Sequence, residues 1–353
     1  MSSRRTDFCL LGSLPHRKSI AKYHSSMHNS KLSIFIIPAL LLGCSTGPAE
    51  DLGELISEID GSNTVSSCDP EQPHQKGDFL FDPKVDSSLP GEWAAEFDLI
   101  MANLGDLMPI SPCIHEVPSA NSPMTIYAWN GEVSNPFPER PDMSGASISG
   151  DGTDLWMVLE INPDEFEYDS LHRYSVIVHE YFHVYQIALS GDLTFPIWLW
   201  EGGAKVTEEL YIQQQYGRSE FDNKLFPVSA EAVIQPELFE EYVGGEIDNN
   251  YNGSAFLLLA LVRELQEQQN LSEEQAFTKA LIDFQKAKLS ERDWRVAFSN
   301  VFGMEVEDFY SSLEKYSDSI TPSPEEWIDG DVIDPQGVIP SKGLRLEDIF
   351  LTG

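Results

Sequence analysis

The sequence predicts an α+β fold: a small mixed sheet in the N-terminal half, then a mostly helical part. Three observations point there. The apolar runs with strand chemistry lie before residue 162. From residue 166 onward the apolar spacing is helical almost throughout. Strands come first and helices afterwards, with no βαβ alternation and no internal repeat. Among 353 residues, 41% are apolar and 11% aromatic, enough to bury a core. The length suits one large domain or two smaller ones.

The elements follow in order. Residues 90–104 (PGEWAAEFDLIMANL) have helical apolar spacing. Residues 124–129 (MTIYAW) and 155–161 (LWMVLEI) read as strands, being rich in β-branched and aromatic side chains. The Pro/Gly/Ser-rich connection over 131–154 reads as a surface loop. Helices are expected at about 168–190, 197–216, 251–269, 272–288, 291–301 and 305–317. Ser272-Glu273-Glu274-Gln275 has the capping-box pattern at the start of one of them. A further helix at 220–245 and the 131–154 loop are plausible walls of a site. Pro322, Pro324, Pro335 and Pro340 mark 321–353 as an irregular tail. The main domain is therefore expected over 76–320.

Charge divides the chain. Acidic side chains number 58 against 22 basic ones, a net −36. That excess argues against nucleic-acid partners, which need a basic footprint. Residues 1–43 nonetheless hold six bases (Arg4, Arg5, Arg17, Lys18, Lys22, Lys31) and a single acid, Asp7. The rest carries 57 acids and 16 bases, a net −41. Leu32–Leu42 is an apolar run of 11 residues broken by Pro38. A spanning helix needs ~20, so the run has the length of a signal-peptide core. Leu41-Leu42-Gly43-Cys44-Ser45 resembles the bacterial lipobox. The resemblance implies cleavage after Gly43, a lipid on Cys44 and membrane attachment in the cell envelope, on the periplasmic side or at the outer membrane. The rival reading of this run is a buried strand or helix. Translation is expected to start at Met27, with a twin-arginine signal at Ser3-Arg4-Arg5 as the alternative. Residues 44–75, rich in Ser, Gly, Pro, Asp and Glu, read as a flexible acidic tether. In an oxidising compartment Cys68 and Cys113 are expected to pair. The acidic cluster Asp329, Asp331 and Asp334 lacks the order of a calcium loop and reads as solvated.

His179-Glu180-Tyr181-Phe182-His183 is an H-E-x-x-H motif. Four residues is about one helical turn, so both imidazoles face one side and can chelate one zinc ion. Glu180 flanks the pair, placed to act on water rather than to ligate. The host stretch YSVIVHEYFHVYQIAL is apolar nearly all round, as in a buried helix. His172, His179, His183 and Gln186 form one polar stripe along it. The competing reading is a set of hydrogen-bonded core histidines. A zinc site needs a third protein ligand, and Glu201 lies 18 residues past His183. It sits in Trp198-Leu199-Trp200-Glu201-Gly202-Gly203-Ala204, where a helical hairpin returns the chain to the metal and the paired glycines permit close packing. A solvated Glu at a helix start is the alternative.

HEYFHVYQ followed by WLWEGGAKVTEELY resembles the gluzincin zinc metallopeptidases of the thermolysin-like superfamily, and in particular the peptidase-MA-like pattern. The resemblance spans roughly residues 120–317. It implies a zincin-like fold, Zn2+ held by His179, His183 and Glu201, and Glu180 as general base and acid in hydrolysis of a peptide or protein. Tyr251, in the stretch YNGSAF, is the first candidate for stabilising the oxyanion and Tyr242 the second. Lys205 departs from the pattern, where an acid is expected. Glu208, on the same helix face as Glu201, is the candidate to orient a histidine. His172 is either a contact behind the ligands or a satisfied structural histidine, the latter weighing more. Two rivals remain: a non-catalytic lipoprotein retaining a structural zinc, and a zinc hydrolase of a non-peptide amide. The sequence carries no signature of an oligomeric state.

Overall fold

The computed structural model describes residues 79–110, 123–150, 155–190, 196–222, 226, 228–241, 247–287, 294–322 and 330–351. The signal segment, the tether, Cys44, Cys68, Cys113, Tyr242 and Asp329 lie outside them. The chain is α+β: a mixed four-stranded sheet precedes a mostly helical part.

Strand β1 (Phe81–Val85) leads to helix α1 (Gly91–Leu107). Trp93, Phe97, Ile100, Leu104 and Leu107 make the buried stripe of α1. Strands β2 (Met124–Asn130), β3 (Ala146–Gly150) and β4 (Leu155–Ile161) complete the sheet in the order β1-β2-β4-β3. The β1–β2 and β2–β4 pairs are parallel and β3–β4 is antiparallel. The inner strands β2 and β4 are covered on both faces, which explains their near-continuous apolar sequences. Ile126, Ala128, Met157 and Leu159 face the main core. Tyr127, Trp129, Trp156 and Val158 form a second small core, capped by Phe137 and Met143. The Arg140 guanidinium lies 3.7 Å above the Trp156 ring.

The 131–154 connection therefore departs from the surface-loop expectation. It contributes β3 and covers one face of the sheet. Its strand escapes sequence reading because ASISG is short and made of small residues around Ile148, within a Pro/Gly/Ser-rich stretch, although Ala146 and Ile148 do pack on the main core. β1 escapes for another reason: Pro83 argues against a strand, yet at a sheet edge it costs no ladder bond.

After a short helix α2 (Asp164–Glu167) come α3 (His172–Ser190) and α4 (Ile197–Tyr216), both buried over most of their length. Gly217 ends α4 in the left-handed conformation at φ 71°. The expected helix over 220–245 is replaced by a 3-10 turn at Glu220–Asp222, β5 (Val228–Ser229), α5 (Glu231–Ile234) and a 3-10 turn at Pro236–Glu240. Pro236 prevents continuation, and Gln235 before it leaves helical geometry at φ −140°, ψ 59°.

Helix α6 (Ile247–Gln269) crosses α4 at touching distance. A Cβ built on Gly202 would stand 2.4 Å from the Ser254 carbonyl oxygen, so only glycine permits this approach. Helix α7 (Glu273–Thr278) opens on the expected capping box, with Gln275 N donating to Ser272 Oγ and Ser272 N donating to Gln275 Oε1. It continues through a π-helical stretch (Lys279–Asp283) into α8 (Phe284–Lys286). Then follow α9 (Trp294–Phe302), α10 (Val306–Ser312) and a 3-10 helix at Leu313–Ser319.

The tail expected to be irregular over 321–353 instead forms regular elements over its described residues. β6 (Ile320–Pro322) and β7 (Asp331–Ile333) form a three-stranded sheet with β5, and α11 (Leu346–Phe350) docks on the core. Leu346, Ile349 and Phe350 are buried, and the Phe350 ring packs against Phe182 and Tyr185 of α3. Pro322, Pro335 and Pro340 punctuate this segment without detaching it. Asp334 caps the turn at Gln336, and Asp331 pairs in β7. No helix among the described residues is long and apolar enough to cross a membrane.

Candidate metal centre

Helix α3 offers His179 and His183 one turn apart, and α4 brings Glu201 against them. The three form a buried group whose ligating atoms lie within 4.8 Å of one another. The distances are tighter than that limit. His179 Nε2 is 3.1 Å from His183 Nε2 and 3.3 Å from Glu201 Oε2. His183 Nε2 is 3.4 Å from Glu201 Oε2. Tetrahedral zinc with bonds of about 2.0–2.1 Å sets its ligands about 3.3–3.4 Å apart. The triangle fits that requirement.

The rings are fixed from behind. His179 Nδ1 donates to Glu208 Oε2 at 3.0 Å. His183 Nδ1 donates to Gln186 Oε1 at 2.8 Å, while Gln186 Nε2 donates to the Trp200 carbonyl at 3.1 Å. The Trp200 ring stacks on His183 with centroids 4.6 Å apart and a 9° angle. With each Nδ1 committed as a donor, a neutral imidazole presents a bare Nε2 lone pair. Two lone pairs and a carboxylate oxygen then converge, three acceptors with no donor among them. Only a cation or a proton reconciles them.

The electrostatics agree. Burial alone would lower the His179 pKa, but hydrogen bonds to Glu201 and Glu208 carry it up to about 10. Burial alone would raise Glu201, but the charge and hydrogen bonds of the two histidines bring it down to about 2. In metal-free protein a proton on His179 takes the place a cation would fill.

Glu180 is buried beside the triangle, and its Oε2 has no hydrogen-bond partner among the described residues. Burial raises its pKa, against the pull of His179 and His183. Tyr251, half-buried near the start of α6, sets its ring edge-on to His179 at 5.7 Å. The Gly202–Ser254 crossing brings that helix to Glu201. His172, at the first turn of α3, stands apart from the ligand group; its Nδ1 meets Glu165 Oε1 at 2.9 Å. Burial lowers its pKa, but Glu165 outweighs that and lifts it to about 9.

Sequence reading missed three supports. Trp200 sits inside the recognised motif, but stacking on His183 requires knowing how the hairpin closes. Glu165, in α2, partners His172 outside the ligand group and gives no periodic signal. Lys205, a departure from the pattern, pairs with the buried Glu208 and Glu209 and with the half-exposed Glu220. Its i+3 and i+4 spacing to two acids was the available signal. No known protein family, curated protein or solved structure matches the chain.

Proposed function

We propose that this protein is a zinc-dependent peptidase held at a membrane surface by a lipid on Cys44. The observation that carries the catalytic reading is Glu180. A buried carboxylate with an unpartnered oxygen is costly, and this one adjoins three converging ligand atoms. A closed structural zinc site has no use for such a group. Zinc bound by His179, His183 and Glu201 would supply Lewis acidity and a water of lowered pKa. Glu180 would accept the proton of the attacking water and return it to the leaving amine, and its raised pKa suits both halves of that task. Glu208 and Gln186 would hold the two imidazoles in the ligating tautomer. The Tyr251 phenol would donate to the oxyanion.

A second reading, a non-catalytic zinc protein, is favoured by the burial of all three ligands, none above 8% exposed. One comparison separates the two. Wild type and Glu180→Gln should both hold one zinc, and only wild type should cleave a peptide library. The Gln variant should be slower by about 10²–10⁴-fold. Stoichiometric zinc with no cleavage by wild type overturns the peptidase reading. Tyr251→Phe is expected to lower kcat by about 10²–10³-fold with zinc affinity unchanged. The tether, the signal segment and the Cys68–Cys113 pairing belong to the same proposal. Cys44→Ser should move the protein from the membrane fraction to the soluble one.

A further inference from the structure

The Lys205 side chain is only 10% exposed. Its ammonium reaches three carboxylates: Glu208 Oε1 at 2.6 Å, Glu209 Oε1 at 2.9 Å and Glu220 Oε2 at 3.1 Å. An ammonium has three donors, so its capacity is filled. Two of the three acids are tied elsewhere as well, and Glu220 is half-exposed. Glu208 spends its second oxygen on His179 Nδ1. Glu209 spends its second oxygen on the backbone N–H of Glu220 at 2.7 Å. The cluster thus joins α4 to the turn at Glu220–Asp222 and ends on the back of a ligand histidine. From the geometry we infer that Lys205 is a positioning residue, clamping Glu208 so that it fixes the His179 ring for the metal.

The physical need is plain. The buried Glu208 and Glu209 would repel one another without a cation between them, where low dielectric strengthens the repulsion, and the half-exposed Glu220 adds a weaker, solvent-screened share. Glu208 is free to leave His179 only if it finds another donor. Lys205 holds Oε1 while His179 holds Oε2, so the carboxylate bridges the two and has one orientation. The departure from the expected acid at position 205 is then an alternative way to support the same histidine, from a cation behind Glu208.

This inference rests on His179 being a zinc ligand for its effect on zinc, but the clamp itself can be read without metal. In metal-free wild type, NMR should show a downfield, exchange-protected His179 Nδ1 proton. Lys205→Met should lose that signal and weaken zinc binding, by chelator competition, by about 10- to 100-fold. Lys205→Arg should keep both near wild type. If Lys205→Met fails to fold, Lys205→Met with Glu209→Gln preserves the net charge of the cluster and should show the same two losses. A folded Lys205→Met that keeps the Nδ1 proton overturns the clamp, and one that also keeps zinc affinity removes any role for Lys205 at the site. If wild type binds no zinc while the Nδ1 proton still depends on Lys205, the clamp stands and the peptidase reading falls.

Discussion

At residue scale, the site is a set of acceptors that want a cation. His179 illustrates the competition between a proton and a metal. Its pKa of about 10 against an ordinary 6.5 means that the metal-free ring is charged at neutral pH. A raised pKa contributes stability below the unfolded value, and that contribution is lost as pH rises through the folded one. Metal-free protein should therefore lose stability between about pH 6.5 and about 10, a change that thermal melts would detect. For the same reason zinc uptake at pH 8 should release a proton, and apparent affinity should climb with pH toward about 10. Calorimetry in buffers of different ionisation enthalpy reads the proton count directly. Zero protons released would contradict the assigned state of His179.

At the scale of elements, the site depends on how α3, α4 and α6 pack. Gly202→Ala forces a Cβ toward the Ser254 carbonyl, and backbone there does not yield easily. The variant is expected to lose about 1–3 kcal/mol of stability. It should also bind zinc more weakly, since Glu201 is the adjacent residue; unchanged denaturation midpoint and affinity would show that the crossing relaxes freely. These helices were legible in the sequence as long apolar-rich stretches of helical length, and the bounds expected for α4, 197–216, are those observed. β2 and β4 were legible as apolar runs of strand length. β1 and β3 were not, because Pro83 and the small residues of ASISG become strand only through their neighbours. The grouping of His179, His183 and Glu201 was legible from local spacing plus one hairpin. The supports behind it, such as Glu220 on Lys205 or Trp200 on His183, come from packing that no local spacing encodes.

At the scale of the whole molecule, helix α11 near the C-terminal end closes the core. Phe350 is 9% exposed and packs beside the helix that bears His179 and His183. Phe350→Ala should cost about 3–5 kcal/mol in denaturant unfolding; a loss well below that range would mean that α11 is only loosely attached. Beyond residue 43 the chain carries 57 acids against 16 bases. Self-repulsion of that size is screened by salt, so the melting temperature should rise with added NaCl, and a flat response would show the charges to be well separated. The same acidity repels an anionic lipid surface, so holding this body at a membrane calls for a covalent anchor.

Zinc-edge X-ray absorption on metal-loaded protein tests the central claim most directly. Two imidazole nitrogens and one carboxylate oxygen at about 2.0–2.2 Å, with one further light ligand, are the predicted shell. The imidazole scattering should fall in His179→Ala. A protein that takes up no stoichiometric zinc, or whose metal shell is unchanged in His179→Ala, would contradict the account.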